Sequence, residues 1–261
     1  MAVRKTSGWL WLVMVLMTAW PAVGHARSNL GDDFPAIVQK VRDSIVGIGT
    51  YQALRRPPVS LSATGFVVHD GTYVVTNYHA IPPSVATEER EKLVAIVAHG
   101  RRYKDRPAEI VALDADHDLA LLKIKGDPLP ALTLGSGALV PDGTSIAVTG
   151  FPIGSILGIY PVTHVGIVSA ITPIRVPQPN AQLLDSQMIL RNPFDVYQLD
   201  LTAFPGNSGS PLYDARTGKV VGILNSTFVK ETKERALTDP TGISFAIPVI
   251  YIHEILKKID K

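Results

Sequence analysis

The chain has 261 residues, 46% of them hydrophobic and 18% charged, with a formal net charge of +2. That balance has room for one large or two small globular domains, and it excludes nucleic acid or an anionic surface as a partner held by bulk charge. There is no cysteine, which excludes disulfides, a thiol nucleophile and a thiolate metal site and leaves the core alone to hold the fold.

The first residues, MAVRKTSGWLWLVMVLMTAWPAVGHA, set Arg4 and Lys5 before an apolar run from Trp9 to Trp20 and end on the small residues Gly24 and Ala26. This is the pattern of a secretory signal peptide cut after Ala26. The apolar run is short for a bilayer span and no other segment is a transmembrane candidate, so the expectation is a periplasmic or secreted protein without a membrane span after cleavage.

Residues 27–44 then read as an N-terminal helical segment. Phe34, Ile37, Val38, Val41 and Ile45 recur at helical spacing, and Asp32 or Asp33 can cap the first turn. From there the texture is short β-type runs between turns. Asp70-Gly71, between FVV and TYVV, marks a tight hairpin. The stretch KGDPLPALTLGSGALVPDG breaks the pattern with proline and glycine and reads as a linker between halves. The second half repeats the texture, with DARTG at 214–218 as a hairpin turn. The chain closes on a helix opened by Pro248, with Val249, Ile252, Leu256 and Ile259 on one apolar face. The predicted domains are a first β unit over 45–132, a second over 133–247 and a helix over 248–261. The fold class is all-β, as two barrels or sandwiches. No sequence repeat is visible.

Chemistry concentrates in three places. His79 closes the strand TYVVTNYHA, which IPP then stops. An imidazole leaving a rigid strand toward a cleft is well placed as a general base. His69, His99, His117, His164 and His253 have no comparable context. No histidine pair has metal-site spacing, so no metal and no cofactor is expected. In LDADHDLALLKI, Asp118 directly precedes the apolar run Leu119 to Ile124 and is the carboxylate expected to turn inward and orient an imidazole. Asp114 and Asp116 read as solvated turn residues. Finally, AFPGNSGSPL sets Ser208 between Gly206 and Gly209, a sharp turn that can aim successive N–H groups at one point. The order His79, Asp118, Ser208 excludes an α/β-hydrolase, which runs serine, acid, histidine and needs a glycine where Ser210 stands.

These segments resemble the trypsin-like (chymotrypsin-fold) serine proteases of the HtrA/Deg type. TGFVVHDGTYVVTNYHAI and DADHDLALLKI resemble the blocks around the family's catalytic histidine and aspartate. VTHVGIVSAI, AFPGNSGSPL, GKVVGILNS and GISFAIPV follow in the family's order, and the similarity runs from about Asp33 to Ile255. The resemblance implies two six-stranded antiparallel β-barrels, with short N- and C-terminal helices and the site between the barrels. It implies His79 as base, Asp118 as its orienting acid, Ser208 as nucleophile and the N–H groups of Gly206 and Ser208 as the oxyanion hole. It also implies substrate binding by Asn225, Ser226 and Thr227, a strand that pairs with substrate backbone, and by Thr202 near the floor of the specificity pocket. The expected partners are polypeptide substrates in extended or unfolded segments, and the family often forms trimers. A protease-fold binding protein and a latent protease awaiting a partner are the alternatives. Ser210 departs from the family's usual glycine, as in glutamyl endopeptidases, and Phe204 from its usual asparagine. A protease domain without a PDZ domain is expected. The segments 172–195 and 229–241 look long for the family and are expected to gate the site or bind a partner.

Overall fold

A computed structural model of the chain describes residues 30–82, 91–100, 102–152, 159–173, 193–225 and 242–259. The signal-peptide reading, Ser226, Thr227 and most of the two long segments fall outside these residues.

Helix α1 spans Phe34–Arg42, with Val41 buried and Phe34 and Ile37 packed on the core. It is shorter than the periodicity predicts. Ile45 stands four residues beyond Val41, where a helix face and a strand face coincide, and it opens strand β1 instead. Asp33 precedes the helix in αR conformation without a side-chain cap.

Among the described residues twelve strands follow. The first six are β1 (Ile45–Tyr51), β2 (Val59–Val68), β3 (Tyr73–Asn77), β4 (Lys92–His99), β5 (Arg102–Asp114) and β6 (Leu119–Ile124). The second six are β7 (Ser145–Gly150), β8 (Val162–Pro173), β9 (Asp195–Asp200), β10 (Pro211–Asp214), β11 (Val220–Asn225) and β12 (Ile243–Pro248). Helix α2 (Val249–Leu256) ends the described fold, stopping short of the predicted range, although Ile259 still packs on the core.

Each set of six closes into an antiparallel barrel. The neighbours run β1-β2-β3-β6-β5-β4 in the first and β7-β8-β9-β12-β11-β10 in the second. One topology thus occurs twice although the sequence shows no repeat. Strand alternation and turn chemistry specify it, and many sequences satisfy both. The Asp70-Gly71 hairpin forms as predicted: Asp70 Oδ1 accepts from the N–H and O–H of Thr72, and Gly71 takes φ +87°.

Each barrel has its own interior cluster, with Ile48, Val74 and Leu122 in the first and Val148, Leu199 and Leu224 in the second. A third cluster joins them. Phe66 and Leu121 of the first barrel meet Tyr213, Ile223 and Ile247 of the second, with Val41 of α1 and Val249, Ile252 and Ile255 of α2 in the same contact network. The linker is stitched in as well, since Leu132 is buried and Leu134 bridges Val220. Both helices therefore brace the seam between the barrels, and the groups facing each other across it are held in one packed body.

Candidate active site

The serine turn is built from glycine and proline chemistry. Asn207 N–H donates to Phe204 C=O at 3.0 Å, closing a turn with Pro205 second and Gly206 third. Gly206 has φ +96°. Proline followed by a positive-φ residue marks a type II turn, whereas type I requires a negative φ at the third place. The two types differ by a flip of the central peptide, so this φ fixes the face on which the Gly206 N–H emerges. Gly209 is equally constrained, because at φ +85° a Cβ would lie 2.0 Å from Thr64 O. Between them Ser208 is 5% exposed.

The histidine and the aspartate come from the first barrel. Strand β3 ends at Asn77, and His79 sits on the single 3₁₀ turn Tyr78–Ala80 that follows. Asp118 precedes β6 with φ +51°, an uncommon conformation for a residue with a side chain. Its backbone is held there by Tyr78 N–H and Asn77 Nδ2, which both donate to its carbonyl, at 3.0 and 3.1 Å. The carboxylate then points back. Its Oδ1 accepts from His79 N–H at 2.9 Å, and its Oδ2 pairs with His79 Nδ1 at 2.7 Å and accepts from Asn225 Nδ2 at 2.6 Å. His79 Nε2 lies 3.0 Å from Ser208 Oγ.

This geometry sets the proton positions. A carboxylate only accepts, so Nδ1 of His79 carries the hydrogen and Nε2 keeps its lone pair toward the Ser208 hydroxyl. Asp118 is 7% exposed and the His79 side chain 31%, so the acid is enclosed while the ring keeps an open edge.

Thr202 is half-buried on the approach to the serine turn, and it carries no charge. Asn225, read from the sequence as part of a substrate-pairing strand, is fully buried and its side chain is turned to Asp118. Asp114 differs from its solvated reading. Its side chain is 18% exposed and pairs with His117 Nδ1 at 2.8 Å. Burial works to raise its pKa, but the hydrogen bonds from the His117 ring and backbone outweigh that and hold it below the ordinary aspartate value. His117, which had no context in the sequence, stacks on Tyr251 of α2 at 4.0 Å and meets Phe194 edge-on. His164 of β8 lies 6.1 Å from the Phe204 ring, and burial depresses its pKa. Among the described residues no group of three or more His, Cys, Asp or Glu side chains could hold a metal ion, and no helix is long and apolar enough to cross a membrane.

Comparison with known proteins agrees with this architecture. Residues 63–223 match the trypsin-like peptidase domain. A probable periplasmic serine endoprotease, DegP-like, from Halomonas elongata is 33% identical over 71% of this chain and 32% of its own length. The chloroplastic Protease Do-like 5 of Arabidopsis thaliana is 31% identical over 72% of this chain and 54% of its own. The chain thus spans about a third to a half of the length of these relatives. Among solved structures, Deg5 superposes with a TM-score of 0.60 at 26% identity, covering 87% of this chain and 95% of that one. The HtrA-type protease AlgW with a tripeptide gives 0.61 at 26% identity, covering 87% and 63%. With two six-stranded barrels, a histidine-aspartate pair facing a serine across their seam and a domain match over more than half its length, the chain belongs to the trypsin-like peptidase family, with relatives of the DegP/HtrA type.

Proposed function

We propose that the chain is a serine endopeptidase acting outside the cytoplasm on extended or unfolded protein segments. The observation that carries this reading is the unbroken row from Asp118 Oδ2 through His79 to Ser208 Oγ, made of contacts of 2.7 and 3.0 Å. Ser208 Oγ attacks a peptide carbonyl while His79 Nε2 takes its proton. The developing oxyanion is met by the N–H groups of Gly206 and Ser208. His79 returns the proton to the leaving amine, and water then clears the acyl-enzyme by the same base. Asp118 holds one tautomer throughout and stabilises the imidazolium.

The positive φ of Gly206 favours a competent oxyanion arrangement over the latent alternative, which needs that peptide turned the other way. A pure binding protein has no use for the row itself. Thr202 lends no charge to the specificity pocket, so no strong preference for a charged residue before the cut follows from it. The backbone of residues 225–227 is the proposed strand partner for substrate, which is why extended segments fit. A periplasmic location draws on the sequence of the first 26 residues and on the names of the relatives.

The test is cleavage of unfolded casein by the mature chain beside Ser208→Ala. Loss of cleavage on the order of 10⁶-fold supports the reading. Equal cleavage by both, or by neither, refutes it.

A further inference from the structure

Thr64 lies in β2 of the first barrel, yet it makes three hydrogen bonds to the second half of the chain, two of them to the serine turn. Its backbone N–H donates to Ser208 C=O at 2.9 Å. Its hydroxyl donates to Gly206 C=O at 2.7 Å. The same oxygen accepts Phe151 N–H at 3.0 Å, from the residue that follows β7. A hydroxyl has one hydrogen to give. With an N–H already pointing at its oxygen, that hydrogen has a single destination, the Gly206 carbonyl. Thr64 C=O in turn accepts the Thr76 hydroxyl at 2.7 Å, so the strand segment is itself held from β3.

The consequence concerns three consecutive peptides. Gly206 C=O is held by the Thr64 hydroxyl and Ser208 C=O by the Thr64 N–H. Between them, Asn207 C=O accepts Ser210 N–H at 3.0 Å. The far ends of the outer two peptides are also occupied, because Asn207 N–H goes to Phe204 C=O and Gly209 N–H to Leu224 C=O. A peptide fixed at its carbonyl is fixed at its N–H, since the unit is planar. The Ser208 N–H shares its peptide with Asn207 C=O, which Ser210 N–H holds, and Thr64 anchors the peptides on either side of it, Gly206–Asn207 and Ser208–Gly209. Gly209 shows how close this approach is, for a Cβ there would meet Thr64 O at 2.0 Å and Thr76 Oγ1 at 2.5 Å.

We propose that the Thr64 hydroxyl is a positioning residue for the oxyanion-binding backbone, registering the nucleophile's turn against the barrel that carries His79 and Asp118. This rests on the proposed peptidase reading. Thr64 does not touch substrate. It acts through the Gly206–Asn207 peptide, which lies between the two proposed oxyanion donors, so its removal should lower transition-state stabilisation and leave substrate capture intact.

Thr64→Val keeps the side-chain shape, removes the hydroxyl, and leaves a carbonyl and an N–H unpaired. Thr64→Ser restores the hydroxyl. With the mature chain and fluorescent unfolded casein, Thr64→Val should lower kcat about 10- to 100-fold with KM within about twofold, a fraction of the loss expected when a whole oxyanion donor is deleted. Thr64→Ser should recover kcat to within about threefold of the starting protein. Thermal unfolding of each variant shows how much protein is folded at the assay temperature. An unchanged kcat in folded Thr64→Val, or a loss matched by its unfolded fraction, would overturn the positioning role. So would a failure of Thr64→Ser to recover activity. The unsubstituted chain and Ser208→Ala run in the same series; if these two do not differ, the peptidase reading itself has failed and the role of Thr64 with it.

Discussion

Replacing Asp118 by asparagine keeps the size of the side chain and changes one oxygen into an NH₂ group. The carboxylate now receives three donors: His79 N–H at Oδ1, and His79 Nδ1–H and Asn225 Nδ2–H at Oδ2. An NH₂ placed at the Oδ1 position faces a backbone N–H that cannot turn away. Placed at the Oδ2 position it faces two donors, and the ring can escape only by moving its proton from Nδ1 to Nε2. Both arrangements lose at least one charge-assisted bond, worth about 1.5–3 kcal/mol. The second also puts a hydrogen where Ser208 needs an acceptor. The expected fall in kcat is about 10⁴-fold, or roughly 5.5 kcal/mol of barrier, while the fold is retained. Steady-state cleavage of casein, with circular dichroism to verify folding, measures it. A folded Asp118→Asn protein within tenfold of full activity would refute the tautomer argument.

Other consequences follow from the same contacts. Asn225→Ala removes a buried 2.6 Å bond to Asp118 and should lower unfolding free energy by about 2–3 kcal/mol and kcat by tenfold or more, read by thermal melts and casein kinetics. Gly209→Ala forces a Cβ into backbone at 2.0 Å with positive φ, and should yield protein that is unfolded or devoid of activity; a soluble, active variant would contradict the described turn. His164 binds its proton less tightly folded than unfolded because burial disfavours the charged ring. Its contribution to stability is therefore present above the unfolded value of about 6.5 and is lost as pH falls through the depressed folded value. His164→Asn should flatten that part of the acid limb in a series of melting temperatures from pH 7 to 4.

Both barrels and the three side chains that the structure brings together were legible in the sequence because each is announced locally. A glycine-framed serine, a histidine at a strand exit and an aspartate before an apolar run are short-range patterns, and turn residues between alternating strands count the barrels. What stayed hidden depends on long-range contact. Asn225 meets Asp118 across 107 positions and Thr64 meets Gly206 across 142, contacts that no pattern within their own strands announces. The pairing of Asp114 with His117 shows the converse. A DADH turn suggests solvent, and it is Phe194 and Tyr251, the latter arriving from α2, that enclose it.

If Ser208 is a nucleophile activated by His79, it should react covalently with an electrophile that a serine outside such a pair ignores. The most direct measurement is treatment of the mature chain with a fluorophosphonate, followed by mass spectrometry of its peptides. The expected result is one adduct, on Ser208, formed by the unsubstituted chain and absent or slowed at least about 10³-fold in His79→Ala. No adduct at Ser208, or equal labelling in both proteins, would contradict it.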